Sequence, residues 1–280
     1  MRVHDDELDI DEPLVRALLA DQFPEWAELP LERAGDGTVN VIYRLGTDLS
    51  IRLPRRAAKD ATEERVLKRL APWISMDIPR MVARGVSGHG YPWTWWVVTW
   101  MHGELPTEPL PAEDVAAFLL SLQAVDAADA PEPAGGRGKP LAWRDPYVQD
   151  ALERVAAPGA AELWRTAMAA PEWAGPKVWI HCDLDRRNVL VQDGRLAAVI
   201  DWESAGAGDP AVDVMAAWKL VAREERDRFR ELVDADDATW LRAQGWCLSQ
   251  ALIALGYYTP ASNPAIHAEA TRWLAEVLAS

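Results

Sequence analysis

The chain has 280 residues, enough to bury a sizeable core in one large domain or two lobes. With 29 Lys and Arg against 44 Asp and Glu, its formal charge is −15, which argues against a nucleic-acid partner and favours a small-molecule partner that is cationic. Two cysteines argue against a disulfide scaffold, no run of about 18 apolar residues predicts a membrane span, and the acidic N-terminal segment lacks an apolar signal core, so a cytoplasmic monomer or homodimer is expected.

Leu14, Val15, Leu18 and Leu19 recur at helical spacing, with Pro13 acceptable in a first turn, and predict a helix over 11–21. Apolar runs at 31–34, 40–45 and 49–53 read as three antiparallel strands. Gly35-Asp36-Gly37-Thr38 separates the first two. A glycine loop of this kind lays backbone N–H groups over phosphates or is an ordinary turn, and alone it does not decide. Arg52 on the third strand is either an exposed cation or a permanent charge able to fork onto phosphate oxygens. Glu63 and Glu64 open a helix over 61–70. Either could pair with Arg52, and Glu63 is preferred because it shares a face with Leu67 and Leu70.

Residues 91–103, YPWTWWVVTWMHG, are the most aromatic part of the chain. Strict alternation fails there, which predicts a strand buried on both faces, with Trp93, Trp95, Trp96 and Trp100 as packing residues. A helix over 113–124 places Val115, Phe118, Leu119 and Leu122 on one face. Residues 131–140, PEPAGGRGKP, carry no helical or strand pattern and are the candidate mobile segment. Helical patterns return over 152–169, broken at Pro158-Gly159, and over 214–232, 239–255 and 264–279. Glu224, Asp234, Asp236 and Asp237 in this last part either meet amines or are simply solvated.

The chemistry concentrates in residues 178–202, VWIHCDLDRRNVLVQDGRLAAVIDW. Apolar runs at 178–180, 189–191 and 196–200 predict strands, with a tight turn at Asp193-Gly194. Asp183, Asn188 and Asp201 then sit on loops at strand ends. Two carboxylates and an amide so placed suit phosphoryl transfer: Asp183 accepts a hydroxyl proton, while Asn188 and Asp201 hold Mg²⁺ on a polyphosphate. A zinc site at His181, Cys182 and Asp183 is disfavoured, because neighbours in an extended segment point to opposite faces. Nothing implies an activated thiol at Cys182.

His181-Cys182-Asp183 followed by Asn188 resembles the H-x-D-x-x-x-x-N catalytic loop of protein kinases, and Ile200-Asp201-Trp202-Glu203 stands at their metal-binding Asp. With Gly208-Asp209-Pro210-Ala211-Val212-Asp213 downstream, the chain is similar to the aminoglycoside phosphotransferase family of antibiotic kinases. Arg52-Leu53-Pro54-Arg55-Arg56, where the wider family carries Lys, resembles its macrolide-phosphotransferase-like branch.

The resemblance implies an α+β, bilobal protein-kinase-like fold. Residues 1–101 would form a nucleotide-binding lobe with an antiparallel sheet plus helices, and residues 102–280 a larger, mainly helical catalytic and substrate-binding lobe. It further implies Gly35, Gly37 and Thr38 over the phosphates, Arg52 with Glu63 at the α- and β-phosphates, Val98 behind the base, and backbone groups of Thr99 and Met101 bonded to it. Gly103 would close the hinge and Asp213 would anchor the catalytic loop through backbone N–H groups. His181 would brace that loop, and Arg186 or Arg187 would be solvated or touch the γ-phosphate. The family usually carries a small residue, often Gly, where this chain has Cys182. The implied reaction transfers the γ-phosphate of ATP or GTP, with Mg²⁺, to a hydroxyl of an aminoglycoside or macrolide. A kinase of a metabolite alcohol (a sugar, a choline-like compound or an amino alcohol) and a nucleotide-binding pseudokinase are the alternatives.

Overall fold

The structure, a computed structural model, describes residues 8–36, 40–56, 62–74 and 76–279. Gly37 and Thr38 lie outside the described residues. The chain divides into two compact units, one of Met1–Pro72 with Asp77–His102 and one of Trp73–Met76 with Gly103–Ser280.

The first unit opens with α1 (Glu12–Gln22), where the Asp11 side chain accepts the Leu14 N–H and Pro13 sits in the first turn, where its missing N–H costs nothing. Strands β1 (Leu31–Asp36), β2 (Asn40–Leu45), β3 (Leu49–Pro54), β4 (Met81–Gly85) and β5 (Trp95–Thr99) form a 5-stranded antiparallel sheet in the order β1-β2-β3-β5-β4, with α2 (Thr62–Leu70) after β3. Gly35, expected in a loop, belongs to β1 at a bulge opposite Ile42. Val41, Tyr43, Leu45, Ile51, Leu53, Trp95 and Val97 pack with Val15, Leu18 and Leu19 of α1 in one core. The two-residue period of a strand therefore sends Arg52, Trp96 and Val98 to the opposite face. In β5, Trp95, Val97 and Val98 are buried but Trp96 and Thr99 are only half-buried, so the expected double burial is incomplete. β4 was not foreseen, because M-V-A-R-G is short and weakly patterned.

The second unit holds α3 (Ala112–Gln123), α4 (Asp145–Arg154) and α5 (Ala160–Ala169), then β6 (Val178–Ile180), β7 (Val189–Gln192), β8 (Arg195–Val199) and β9 (Gly206–Gly208). After them come α6 (Ala211–Val214), α7 (Ala216–Lys219), α8 (Arg226–Leu232), α9 (Asp237–Tyr257) and α10 (Pro264–Leu278). β7 pairs with β8 through the Asp193-Gly194 turn, both residues at positive φ, and β6 pairs with β9. The helix expected over 214–232 is α6, α7, a 3-10 turn at Arg223–Glu225 and α8. Residues 211–221 are buried without exception, so no amphipathic stripe shows where one short helix stops and the next begins. Similarly, α4 starts earlier than expected, at Asp145-Pro146, where Pro occupies the first turn.

Residues 131–140 hold only a 3-10 turn at Ala134–Gly136, but they are not loosely attached. The Ala207 N–H donates to the Pro131 carbonyl at 3.0 Å, and a Cβ on Gly206 would lie 2.3 Å from that carbonyl oxygen. The segment expected to be mobile is thus seated directly on β9.

Candidate active site

β6 delivers the chain to His181, and the turn that follows is held from below by Asp213. Its carboxylate accepts the N–H of His181 at 2.6 Å and of Cys182 at 2.8 Å. Asp213 is fully buried, and burial pushes its carboxyl above the ordinary value, so these two donors compensate for the water it has lost. The anchoring expected of Asp213 is present. His181 braces the same turn, its Nε2 lying 3.0 Å from the Ile200 carbonyl while Nδ1 accepts the Asp183 N–H at 3.3 Å. Burial lowers the His181 pKa, which suits a neutral ring with its proton on Nε2. Burial also raises the Cys182 thiol, so it is not an activated nucleophile.

Asp183 and Asn188 come together directly. Asn188 Nδ2 donates to the Asp183 carbonyl at 2.8 Å and to Oδ2 at 3.2 Å, which turns its Oδ1 acceptor away from that carboxylate. Asn188 immediately precedes β7, and its carbonyl accepts the Ile200 N–H at 2.9 Å, which places Asp201 at the same end of the β7–β8 hairpin. Asp201 adopts φ +63°, the left-handed region that costs a non-glycine residue about 1–3 kcal/mol. An amide oxygen and a carboxylate are hard donors suited to Mg²⁺, which takes one or two carboxylates and completes its shell with phosphates and water. Among the described residues, no group of three or more His, Cys, Asp or Glu is arranged to hold a metal on its own.

The charges around Asp183 were only partly foreseen. Burial opposes its ionisation, but Arg137, Lys219, Arg187 and His181 outweigh burial and hold the carboxyl below its ordinary value. Arg137 Nη2 stands 3.6 Å from Asp183 Oδ1, with Nη1 tied to Ser204 Oγ at 3.1 Å. Lys219 is fully buried and donates to Gln250 Oε1 at 2.5 Å, and Gln250 Nε2 donates to the Cys182 carbonyl at 3.4 Å. Arg187 is tied to the buried Asp185 through its N–H, Nε and Nη2, while its side chain stays partly exposed. Arg186 donates to the Thr107 carbonyl at 3.2 Å. The one signal for Lys219 was a lone cation inside the apolar run M-A-A-W-K-L-V. Arg137 had none, since it sits in a patternless loop.

Other acidic residues have structural partners. Asp209 accepts Arg242 Nε at 2.7 Å and the Ala211 N–H at 2.9 Å, and Asp236 caps α9 through the Thr239 N–H. Asp237 pairs with Arg230.

In the first unit, Arg52 Nη1 meets Glu63 Oε1 at 2.6 Å, the preferred pairing, while Glu64 takes Lys68 and the Trp96 indole N–H. Val98 is buried on the sheet face that carries Arg52. The Thr99 N–H already donates to the Arg80 carbonyl at 3.0 Å and the Trp100 N–H to Asp48 at 2.7 Å, which leaves Met101 as the next backbone donor in line.

Comparison with known proteins matches residues 30–246 to the model of the phosphotransferase enzyme family. A hygromycin-B 4-O-kinase of Escherichia coli is 29% identical over 153 residues, which covers 46% of this chain and 44% of that protein, so the chain matches less than half of that relative's length. Among solved structures, the GDP complex of wild-type aminoglycoside 2'-phosphotransferase-IIIa superposes with a TM-score of 0.70 at 18% identity, covering 96% of this chain and 99% of that one. The macrolide 2'-phosphotransferase of Brachybacterium faecium gives 0.62 at 23% identity over 92% of this chain and 98% of its own. A mixed fold with a 5-stranded antiparallel sheet and a helical C-terminal part is common to this chain and these structures.

Proposed function

The chain belongs to the phosphotransferase enzyme family, and from that premise we propose that it is an antibiotic kinase, transferring the γ-phosphate of ATP or GTP to a hydroxyl of an aminoglycoside or macrolide. The observation that carries this reading is Asn188 fastened to both the carbonyl and the carboxylate of Asp183, with Asp201 at the same end of the hairpin. In that arrangement Asp183 orients the acceptor hydroxyl and takes its proton. Its depressed pKa is no obstacle, since a loose transfer asks for positioning and charge stabilisation more than for a strong base.

Asn188 and Asp201 would hold Mg²⁺, which would supply positive charge against the phosphates. Arg52, fixed by Glu63, grips the α- and β-phosphates, and Gly35, Gly37 and Thr38 cover them. Val98 lies behind the base, which bonds the Thr99 carbonyl and the Met101 backbone. The N-terminal unit thus serves as the donor's holder and the C-terminal unit as the seat of chemistry and acceptor.

Relatives named for hygromycin, aminoglycoside and macrolide substrates favour an antibiotic over a metabolite alcohol. Radiolabelled nucleotide and a panel of antibiotics, sugars and amino alcohols separate the two. Asp183→Ala lowers turnover by at least about 100-fold, and near-normal turnover in that variant rules out the assigned role.

A further inference from the structure

We infer that Arg137 is a catalytic residue of the transfer, its guanidinium contacting the phosphoryl group as that group passes to the acceptor oxygen. The inference rests on the phosphotransfer reading and on Asp183 as the base. In the transfer, the bond from the γ-phosphorus to its bridging oxygen breaks, the acceptor oxygen bonds to phosphorus, the hydroxyl proton goes to Asp183 and nucleoside diphosphate leaves. The peripheral oxygens carry negative charge throughout, and a fixed cation beside them lowers the barrier.

Geometry puts Arg137 in reach. An acceptor oxygen sits about 2.6–3.2 Å from its base, and phosphorus about 3–3.5 Å from that oxygen before transfer. A guanidinium nitrogen 3.6 Å from Asp183 Oδ1 therefore borders the same small volume. That separation exceeds a hydrogen bond, so the Nη2 donors are not consumed by Asp183. Nη1 is tied to Ser204 Oγ at 3.1 Å, and the buried Nε has no hydrogen-bond partner among the described residues. The fork is thus held at one corner and retains donors for phosphate-like oxygens.

Its mounting is built. The Pro131 carbonyl is bonded to Ala207 on β9, and β9 pairs with β6, which leads into the catalytic loop. Adjacent Gly138 is required there, since a Cβ would lie 2.6 Å from the Pro133 ring and 3.3 Å from the Ala207 carbonyl. The two cations of the catalytic loop are mounted differently, Arg187 on the buried Asp185 through Nε and Nη2 and Arg186 through Nη1 on the Thr107 carbonyl.

The test is steady-state transfer from radiolabelled ATP with Mg²⁺, to water and to hygromycin B, by the full chain and by Arg137→Ala, Arg137→Gln and Arg137→Lys. Arg137→Ala is expected to lower kcat about 100- to 1,000-fold, with KM for ATP and the melting midpoint close to wild type. Arg137→Lys should fall between Ala and wild type, and millimolar guanidinium should restore part of the Ala variant's rate, which a purely structural role would not allow. A kcat within about threefold of wild type, or a loss carried by KM or by unfolding, overturns the assignment. Wild-type protein inactive with every nucleotide and acceptor overturns the phosphotransfer reading itself, so the two failures are distinguishable.

Discussion

Cys182 adopts φ +77° with its side chain fully buried, so the place where the resemblance leads one to expect a small residue is a left-handed turn. Glycine is at ease there, and the turn is needed to aim Asp183 while presenting two N–H groups to Asp213. Cys182→Gly should keep activity and shift stability by no more than about 1 kcal/mol, because relieved backbone strain offsets lost burial. Cys182→Val, β-branched at positive φ, should cost about 2 kcal/mol or more. Urea unfolding of both variants measures this. Asp213→Ala leaves two buried N–H groups without an acceptor at about 1–3 kcal/mol each. It should lower both the unfolding midpoint and kcat, and an unchanged midpoint would contradict the anchoring role. Asp183, Asn188 and Asp201 were placed by the apolar runs beside them on loops at strand ends, whereas Asp213, in α6, was expected only from the family resemblance. Arg137, Lys219 and Gln250 were not legible in the sequence, because a residue 46 positions from Asp183 along the chain, or on a later helix, reaches it only through the tertiary fold.

Elements are joined by single charged side chains at points that periodicity does not mark. Asp114 in the first turn of α3 accepts Arg195 Nε at 2.7 Å and the Leu196 N–H at 3.1 Å, fastening the β7–β8 hairpin that carries Asn188 and Asp201. Its hydrogen bond to Arg195, then the Leu196 N–H, hold the carboxyl below its usual 3.8. A depressed carboxyl contributes stability above its unfolded pKa and loses it as pH falls through the folded one. Wild type should therefore lose more stability than Asp114→Asn on acidification below about pH 4, and parallel acid melts of the two would remove Asp114 from that role. At the other end, the Arg52–Glu63 pair joins β3 to α2. Glu63→Ala should raise KM for the nucleotide more than it lowers kcat, which nucleotide titrations separate, since Glu63 only holds Arg52 in place.

At the scale of the whole molecule, the formal charge of −15 should raise the association rate of a cationic acceptor. Its kcat/KM should fall as salt rises to about 0.5 M while kcat holds, and a salt-independent kcat/KM would mean the net charge has no steering role. A nucleotide that binds only the folded state stabilises it by about 2.7 kcal/mol at a hundredfold excess over Kd, or about 5–10 °C in Tm for a chain of this size. That shift should require Mg²⁺ and vanish with chelator. Among the described residues no helix is long and apolar enough to cross a membrane.

The sequence by itself determined the β7–β8 hairpin, strands β2 and β3, helices α1, α2 and α3 and the preferred Arg52–Glu63 pairing, while the Asp213 anchor came from the family resemblance. The hairpin, these elements and the pairing follow from local periodicity or from turn chemistry at Asp193-Gly194. Only the tertiary structure decided that β4 completes the sheet, that residues 211–232 break into short helices, and that the patternless segment 131–140 is clamped to β9 with Arg137 at the base. Those outcomes depend on burial on every side and on contacts between residues far apart in the chain, and neither leaves a periodic trace in the order of the amino acids.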